Sequence, residues 1–272
     1  MMKINDYTFD GKDIKNIQQV YKINGFVVIK GFFKKKNIRL IKNEIKKLIK
    51  KKDINFYYEK VKNKNVIRRI EKVSEYSKKI NNIINFKKTF NLIKKLENKK
   101  FCLFKDKLNF KYPGGAGFSP HIDGHFLWKD KNNKYQKGWK IYSDNFLSIV
   151  TPLEKVDKKN GCIYISSIKN TEILGSSFES ISKKLTLNTP NIKKKYLKKF
   201  LFYPIILSEG DICIFNWKCA HMSKKNISKN SRMIFYSTYC KVINKNTNIR
   251  KKYYLDKTTS KNDDKWKSLQ KY

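Results

Sequence analysis

The sequence changes character near residue 100, and this change constrains the fold more than any other feature. From Phe101 to Val242 the chain consists of short apolar segments separated by turn residues, a pattern typical of many short β-strands. Turns are marked by Asn160-Gly161, which is expected to join two strands in a hairpin, and by Glu209-Gly210-Asp211. The predicted strands are 101–111, 118–123, 145–153, 161–167, 203–208, 211–217 and 232–240.

The first hundred residues show helical periodicity instead. Apolar side chains recur every three or four positions over 11–24, 37–50 and 75–99, and only Phe26–Phe33 has the composition of a strand. Helices followed by many strands predict a mainly β fold, a barrel or a sandwich, with flanking N-terminal helices.

A single domain is expected over residues 1–272, since no repeat and no clear linker interrupts the chain. Its predicted parts are a helical support at 8–99, a β core at about 100–242 and a polar tail at 243–272. Within the core, the Lys-rich segment 176–200 has weak helical character and is predicted to be a lid or a surface excursion.

The formal net charge of +41 would ordinarily suggest a nucleic-acid or anionic-membrane partner. Of the 63 basic residues, however, only five are Arg, and Lys, Asn and Ile are abundant throughout. All three have A/T-rich codons, so a base-composition bias explains the lysines better than a nucleic-acid groove, which would use more Arg. The charge still favours anionic ligands, and a basic nucleic-acid-binding protein is kept as a remote alternative.

The cysteines and the first ten residues indicate the cellular compartment in which the protein is expected. Five cysteines without paired short spacings argue against a disulfide framework or a Cys-rich zinc site. Residues Met1–Asp10 lack the apolar core of a signal peptide, and no segment approaches the ~20 apolar residues of a membrane span. A cytoplasmic protein without a membrane span is therefore expected.

Two of the three histidines stand at positions suited to a metal. In His121-Ile122-Asp123 an imidazole and a carboxylate are two residues apart, so both reach one ion from the same face of a strand. His221 follows the apolar run 211–217. If it closes on the same cavity, two His and one carboxylate bind one side of a metal and leave positions open, which favours non-haem Fe(II) and oxygen chemistry. Such a triplet alone is more often a surface pair or a satisfied core histidine.

Arg232 adds a second element of a site. It lies eleven positions after His221 and opens the last apolar strand. An Arg that points into a barrel needs a carboxylate, because an uncompensated buried guanidinium is very costly. A dicarboxylic acid that chelates the iron would supply this carboxylate to the guanidinium fork, and Ser223 could donate its hydroxyl to the same group. The alternative is a strand Arg that faces solvent.

Together, His121, Asp123, His221, Ser223 and Arg232 resemble the phytanoyl-CoA dioxygenase family of iron(II)- and 2-oxoglutarate-dependent oxygenases. The resemblance covers roughly residues 8–242. Within the family, KLNFKYPGGAGFSPHIDG and SRMIFYSTYCKV look closest to 2-aminoethylphosphonate dioxygenases. The segments that carry the family pattern read HIDGH, VTPLEKVDKKNGCIYIS, SEGDICIFNWKCAHMS and SRMIFYSTY.

The resemblance implies a double-stranded β-helix, or jelly-roll, core. It implies that iron(II) is bound by the metal ligands His121, Asp123 and His221. It also implies that 2-oxoglutarate chelates this iron and places its distal carboxylate on Arg232 and Ser223.

Further site residues follow from the resemblance. Asn109 is similar to a position that helps to hold the cosubstrate. Arg69 is a candidate anion contact, to cosubstrate or substrate, with a helix-capping or surface role as the equal alternative. By its spacing, His125 would share a face with Asp123 if the strand continued through Gly124, which makes it a candidate substrate contact, although a satisfied wall residue is the commoner role. Asp123 stands where halogenating relatives carry a small residue, so a carboxylate here favours hydroxylation.

The expected activity is O2-driven hydroxylation of a small molecule, with release of succinate and CO2. An anionic or zwitterionic substrate is expected, with 2-aminoethylphosphonate or a similar amino- or phospho-compound first. The alternative is the same chemistry on an amino acid, an osmolyte or a sugar intermediate of natural-product assembly.

Overall fold

A computed structural model describes residues 7–169, 181–186, 189–243 and 248–259. The helices are α1 (Ile14–Asn24), α2 (Lys35–Leu48), α3 (Val73–Tyr76), α4 (Lys78–Ile84), α5 (Lys87–Glu97), α6 (Lys194–Leu197) and α7 (Ile249–Thr259). The strands are β1 (Thr8–Asp10), β2 (Phe26–Lys30), β3 (Phe56–Val61), β4 (Lys64–Glu71), β5 (Phe101–Lys111), β6 (Phe118–His121), β7 (Leu127–Lys129), β8 (Tyr135–Lys137), β9 (Phe146–Pro152), β10 (Ile163–Ser166), β11 (Ile181–Thr186), β12 (Thr189–Ile192), β13 (Phe202–Pro204), β14 (Ile212–Asn216), β15 (His221–Ser223) and β16 (Arg232–Lys241).

Two sheets form the core. The larger has eight strands in the order β1-β2-β14-β9-β16-β5-β4-β3, and the smaller has four in the order β13-β10-β15-β6. Ile163 and Ile165 of the small sheet share one buried cluster with Val150 and Ile234 of the large sheet, so the sheets pack face to face. This is the double-sheet arrangement of a jelly roll, which the family resemblance implies.

The outer face of the large sheet is covered by helices. Along β16 the side chains alternate, so Ile234 joins the cluster between the sheets while Phe235 packs with α2 and α4. Ile38 and Ile41 of α2 are fully buried in that outer contact, which explains their helical spacing between lysines. Helices α1 and α5 cover the other half of the same face.

The transition from α1 to β2 is fixed by its end residues. Asp13 caps the helix by accepting a hydrogen bond from the backbone amide of Asn16 at 3.4 Å. Gly25 ends it in the left-handed conformation, with φ of 78°. A Cβ at this position would lie 2.6 Å from Cys219 Sγ. Only glycine therefore lets β2 begin this close to the turn between β14 and β15.

The inner face of the large sheet has two chemically different halves. Phe26, Val28 and Phe215, on β2 and β14, belong to the apolar cluster between the sheets. Strands β4, β5 and β16 instead carry most of the buried cations, including Arg69, Lys111 and Arg232. The two sheets therefore enclose an apolar half and a cationic half.

The structure differs most clearly from the sequence-based expectations in three places. Strands β3 and β4 extend the large sheet, so residues 8–99 are more than a helical support. Asn160-Gly161 does form a turn, but the hairpin prediction is wrong, because β9 belongs to the large sheet and β10 to the small one. In the predicted polar tail, α7 packs Tyr253 and Tyr254 into an aromatic cluster, since a sparse apolar stripe suffices to dock a helix.

Part of the predicted lid lies outside the described residues, namely 176–180 and 187–188. The rest of 176–200 forms the two-stranded ribbon β11–β12 and the single turn α6, and its role as a lid stays a prediction. Residues 244–247 and 260–272 of the tail are likewise outside the described part. Among the helices that are described, none combines the length and apolar character needed to cross a membrane.

Candidate metal centre and cosubstrate pocket

The three predicted metal ligands converge between the sheets. Strands β6 and β15 are antiparallel neighbours in which His121 lies opposite His221, with ring centroids 4.2 Å apart. Asp123 follows β6, and its Oδ1 lies 4.0 Å from Nε2 of His221. One ligand atom from each of the three residues lies within 4.8 Å of the others, as binding of one metal ion requires.

Main-chain carbonyls orient both imidazoles. Nδ1 of His121 lies 2.6 Å from the carbonyl oxygen of Ser119, and Nδ1 of His221 lies 3.0 Å from that of Cys219. Each Nδ1 therefore carries the proton and donates it, which leaves each Nε2 as a lone-pair donor. Both rings are thus prepared to bind a metal through Nε2.

The protonation states also suit a metal. Burial and the neighbouring His221 lower the pKa of His121 to about 3, and burial lowers the pKa of His221. Burial alone would raise the pKa of Asp123, but Lys105 and His221 outweigh it and hold this pKa well below its usual range. At neutral pH the cluster is two neutral imidazoles and a carboxylate, the form that binds a divalent cation.

A glycine turn fixes the position of Asp123. Gly124 adopts φ of 66°, and a Cβ there would lie 2.9 Å from the Trp139 ring. Gly138, next to that Trp, approaches even more closely, since its Cβ would lie 1.6 Å from the carbonyl oxygen of Gly124. The carbonyl of Gly138 accepts a hydrogen bond from Trp128 Nε1 at 3.0 Å. The β7–β8 ribbon therefore holds the turn that carries Asp123.

Arg232 is buried as predicted, with 1% of its surface exposed. Its Nη2 donates to the carbonyl oxygen of Gly161 at 2.7 Å, whereas Nε and Nη1 have no hydrogen-bond partner among the described residues. Buried donors are nearly always satisfied, so two free guanidinium donors indicate an anionic ligand. The distal carboxylate of 2-oxoglutarate fits this guanidinium, because a carboxylate accepts from two adjacent N–H groups, and the second N–H of Nη2 forms such a pair with either Nη1 or Nε.

Lys111 is a second buried cation at this position, and the sequence reasoning missed it. It lies opposite Arg232 in the β5–β16 register and is 2% exposed. Its Nζ donates to Ser223 Oγ at 2.8 Å and to the carbonyl oxygen of Lys224 at 2.7 Å. Burial, reinforced by Arg232, lowers the pKa of Lys111 to about 6.

Ser223 lies where a cosubstrate hydroxyl donor is expected. Its Oγ accepts hydrogen bonds from Lys111 Nζ and, at 3.2 Å, from the backbone amide of Phe118. Since both contacts use the oxygen as acceptor, the hydroxyl proton remains able to donate to a carboxylate. The predicted role of Ser223 therefore remains consistent with the geometry.

Asn109 and Arg69 are neighbours across β5 and β4. Asn109 is buried, and its Oδ1 has no partner within the described part of the chain. Arg69 lies on a strand and lines the cavity with His121 and Asp123, so the alternative of a helix cap or surface residue is wrong. Its Nη1 lies 3.4 Å from Glu71 Oε1.

His125 lies just past the glycine turn, where its backbone amide donates to the carbonyl oxygen of Ile122 at 3.3 Å. It is half-buried and is absent from the residues that line the cavity beside Asp123. Its role as a substrate contact stays a prediction.

The cavity beside the metal ligands is strongly cationic. Lys105 and Lys107 of β5 line it together with His121, Asp123 and Trp139. Burial lowers the pKa of Lys105 to about 8 and that of Lys107 to about 7, against the opposing effect of Asp123. The abundance of lysine hid both residues from the sequence reasoning, although their spacing on one strand face was a usable signal.

The sequence matches the family model for phytanoyl-CoA dioxygenase (PhyH) over residues 21–234. The chain belongs to this family. A dioxygenase named lolE1 from Epichloe uncinata is 26% identical over 183 residues, covering 67% of this chain and 63% of the relative's length. A 2-aminoethylphosphonate dioxygenase from an uncultured bacterium is 27% identical over 225 residues, covering 80% of this chain and 78% of that protein.

Solved structures share the fold. The epimerase SnoN from nogalamycin biosynthesis, described as α-ketoglutarate-dependent, superposes with a TM-score of 0.65 at 14% identity, covering 85% of this chain and 84% of that one. EctD from S. alaskensis, solved with 2-oxoglutarate and 5-hydroxyectoine, gives a TM-score of 0.63 at 14% identity, covering 89% and 79%. The jelly-roll prediction is confirmed, as is assignment to the iron- and 2-oxoglutarate-dependent oxygenases.

Proposed function

We propose that this protein hydroxylates a small anionic or zwitterionic molecule, using Fe(II), 2-oxoglutarate and O2. His121, Asp123 and His221 would hold the iron, and Arg232 with Ser223 would hold the distal carboxylate of 2-oxoglutarate. The observation that carries the proposal is the convergence of three oriented ligand atoms within 4.8 Å. We also propose that the two sheets and their covering helices act as one catalytic domain.

The cofactors supply the chemistry: Fe(II) and 2-oxoglutarate activate O2 so that one oxygen atom enters a substrate C–H bond, with release of succinate and CO2. The protein positions and shields the reactants. Its neutral imidazoles and ionised Asp123 match the charge of a divalent ion. The free donors of Arg232 would bind the distal carboxylate of the cosubstrate and so fix its orientation. Asn109, with its free Oδ1, is retained as a further cosubstrate contact.

A carboxylate at position 123 favours hydroxylation over halogenation. The ionised side chain would be the third protein ligand of the metal, where a halogenating enzyme would bind a halide ion instead. The Gly124 turn packs against Trp139, and this packing fixes where the Asp123 side chain lies. The proposed reaction is therefore oxygen transfer to carbon.

The first candidate substrate is 2-aminoethylphosphonate or a similar phospho-compound. The name of the bacterial relative supports it, as does the cationic cavity lined by Arg69, Lys105 and Lys107. The second candidate is an amino acid, an osmolyte or a sugar intermediate, which the ligand of the EctD structure supports. An aromatic wall that includes Trp139 and Tyr253 suits either class, because it limits the cavity to small molecules.

An anaerobic titration of the metal-free protein with Fe(II) and 2-oxoglutarate tests the cofactor assignment. Formation of the complex is expected to give a metal-to-ligand charge-transfer absorbance that His221→Ala abolishes. Absence of the band in well-folded wild-type protein would overturn the proposal. With the band in hand, succinate release in the presence of candidate substrates then identifies the substrate.

A further inference from the structure

We propose that Lys105 and Lys107 form the substrate-recognition site of this cavity, and that the group they bind is a tetrahedral dianion, a phosphonate or phosphate. This inference rests on the proposed function, because it concerns the cavity next to the same metal ligands. It narrows the acidic group of the proposed substrate to a phosphonate or a phosphate.

One face of β5 carries the cations. The residues that alternate on this face are Lys105, Lys107, Asn109 and Lys111. The intervening Leu108 and Phe110 pack against the outer helices, so the four polar residues point between the sheets. Lys111 donates to Ser223 at the cosubstrate end, whereas Lys105 and Lys107 line the cavity at the metal end. The strand thus presents cations at both ends of the reaction site.

Glu71 forms ion pairs with the other two cations that line the cavity, Arg69 and Lys257. It pairs with Arg69 at 3.4 Å and, more closely, with Lys257. Burial alone would raise the pKa of Glu71, but these cations hold it at about 2, so it stays ionised. Arg69 and Lys257 are therefore supplied with negative charge by the protein itself.

Lys105 and Lys107 have no such carboxylate. Among the described residues, none lies within 4.0 Å of either ammonium group. Two carboxylates act on both lysines from a longer distance, and each has another partner: Asp123 belongs to the proposed metal-ligand cluster, and Glu71 pairs with Arg69 and Lys257. Without a dedicated anion, the ammonium forms of these two neighbouring lysines repel each other and are poorly solvated in a partly closed cavity, so the pKa of each is lowered. A ligand with two negative charges removes both penalties at once.

Aromatic rings hold the two ammonium groups in place. Nζ of Lys105 lies 3.7 Å from the centroid of Trp139, and Nζ of Lys107 lies 5.4 Å from that of Tyr236. Phe126 and Tyr253 close the same cavity. Cations fixed in this way lose less side-chain entropy on binding, and three acceptor oxygens of a tetrahedral group can satisfy both.

The test uses four small molecules that share an aminoethyl group and differ in their acid. They are 2-aminoethylphosphonate, O-phosphoethanolamine, taurine and β-alanine. Calorimetric titration at pH 8 of the metal-free protein and of the anaerobic Fe(II)–2-oxoglutarate complex gives their affinities. We expect the phosphonate or the phosphate to bind at least roughly tenfold more tightly than taurine, which is tetrahedral but singly charged, and than β-alanine.

The variants Lys105→Met and Lys107→Met should each weaken binding of the preferred dianion roughly tenfold or more and reduce the preference over taurine. Lys107→Arg keeps the charge and should retain most of the affinity. Lys60→Met, on the exposed edge strand β3, removes the same charge from the surface and serves as the matched control. Thermal unfolding of each variant verifies that the fold is retained, and the affinity for 2-oxoglutarate should be unchanged.

Failure of this inference is distinct from failure of the proposed function. If the charge-transfer band forms but taurine or β-alanine binds as tightly as the dianions, the dianion site is wrong while the oxygenase stands. Unchanged affinities in both Lys→Met variants would also overturn it. If no band forms, yet dianion binding is lost in these variants and kept in Lys60→Met, the anion site stands and the oxygenase does not. Tighter binding of 2-aminoethylphosphonate or of O-phosphoethanolamine shows whether the site recognises a phosphonate or a phosphate ester.

Discussion

Arg232 and Lys111 lie opposite each other on β16 and β5, both are almost fully buried, and neither has a carboxylate within ion-pair distance in the described part of the chain. The carbonyl oxygen of Gly161 accepts a hydrogen bond from Arg232 Nη2 at 2.7 Å and another from Lys111 Nζ at 3.4 Å. A buried pair of like charges is costly unless a ligand compensates it. The pair is therefore suited to a dicarboxylic cosubstrate.

The first prediction concerns the affinity for this cosubstrate. Arg232→Met should raise the dissociation constant of 2-oxoglutarate roughly 100-fold, because it removes the two free donors together with the charge. Lys111→Met should raise it about tenfold, since its ammonium is already shared between Ser223 and a main-chain carbonyl. Titration of the anaerobic Fe(II) protein, followed by the charge-transfer absorbance, measures both values.

The organic substrate provides the internal comparison for these variants. In steady-state kinetics, Arg232→Met should raise KM for 2-oxoglutarate far more than KM for the substrate. Equal increases in both constants would show that Arg232 does not act on the cosubstrate. Arg39→Met removes an exposed Arg of α2, on the outer side of the large sheet, and it should leave the cosubstrate constant unchanged.

The second prediction is that 2-oxoglutarate binding takes up a proton near pH 8. The folded protein holds the pKa of Lys111 at about 6, well below the ordinary value of 10.5, so Lys111 is mostly neutral before binding. An adjacent carboxylate favours the ammonium form and raises this pKa again. Calorimetry in HEPES and in Tris, which differ in ionisation enthalpy, measures the uptake, and Lys111→Met should abolish it. Buffer-independent heats in the wild type would contradict the prediction.

The same shift makes the stability of the cosubstrate-free protein depend on pH. Between pH 10.5 and 6 the unfolded chain protonates Lys111 while the folded chain does not. The contribution of this residue to the free energy of unfolding therefore falls as pH falls through that window. In urea unfolding from pH 9 to pH 7, Lys111→Met should lose less stability than the wild type. Identical pH slopes in the two proteins would contradict this assignment.

The proposed metal ligands and the buried Arg232 could be singled out from sequence because each has a local signal. His121 and Asp123 share a strand face by their spacing, and Arg232 is conspicuous where Arg is rare. Their convergence depends on the pairing of β6 with β15, a contact between residues 100 positions apart that no local pattern specifies. The family resemblance supplied that pairing in advance.

The cationic face of β5 was not predicted for a different reason. Its lysines are lost among many others, and their inward direction follows from the alternating Leu108 and Phe110, which pack outward. Strands β3 and β4 were also missed, because Lys62 and Asn63 form their turn without the usual Gly, both at positive φ. Helix α7 was missed because it has only a sparse apolar stripe, with Ile249, Tyr253 and Tyr254 as its buried side chains.

The fourth prediction separates the three histidines. His121→Ala and His221→Ala should abolish the charge-transfer absorbance, because each removes a ligand whose Nε2 is oriented by a carbonyl bond on Nδ1. His125→Ala should retain it, since His125 is not part of the ligand cluster. Circular dichroism of each variant verifies folding. Loss of the band in His125→Ala alone would require a different ligand set.

The last prediction concerns the turn that carries Asp123. Gly138→Ala should lower both the melting temperature and the affinity for Fe(II), because the added Cβ would lie 1.6 Å from the carbonyl oxygen of Gly124 and must push that turn away. Gly31 is the matched control: its φ of 59° is close to the 52° of Gly138, but a Cβ there meets nothing within 4 Å. Gly31→Ala should cost about 1 kcal/mol of backbone strain and leave metal affinity unchanged.

Both variants place an alanine at a positive φ and share that backbone strain. The difference between their melting temperatures therefore measures the steric effect of the Gly138→Ala Cβ on the Gly124 turn. A melting temperature lowered by about 2–4 °C is expected for Gly31→Ala in a chain of this size, and a clearly larger loss for Gly138→Ala. Weakened Fe(II) binding in Gly138→Ala alone would tie the β7–β8 ribbon to the metal site through Gly124. If Gly138→Ala binds Fe(II) as tightly as Gly31→Ala does, the ribbon packs against the turn without positioning Asp123.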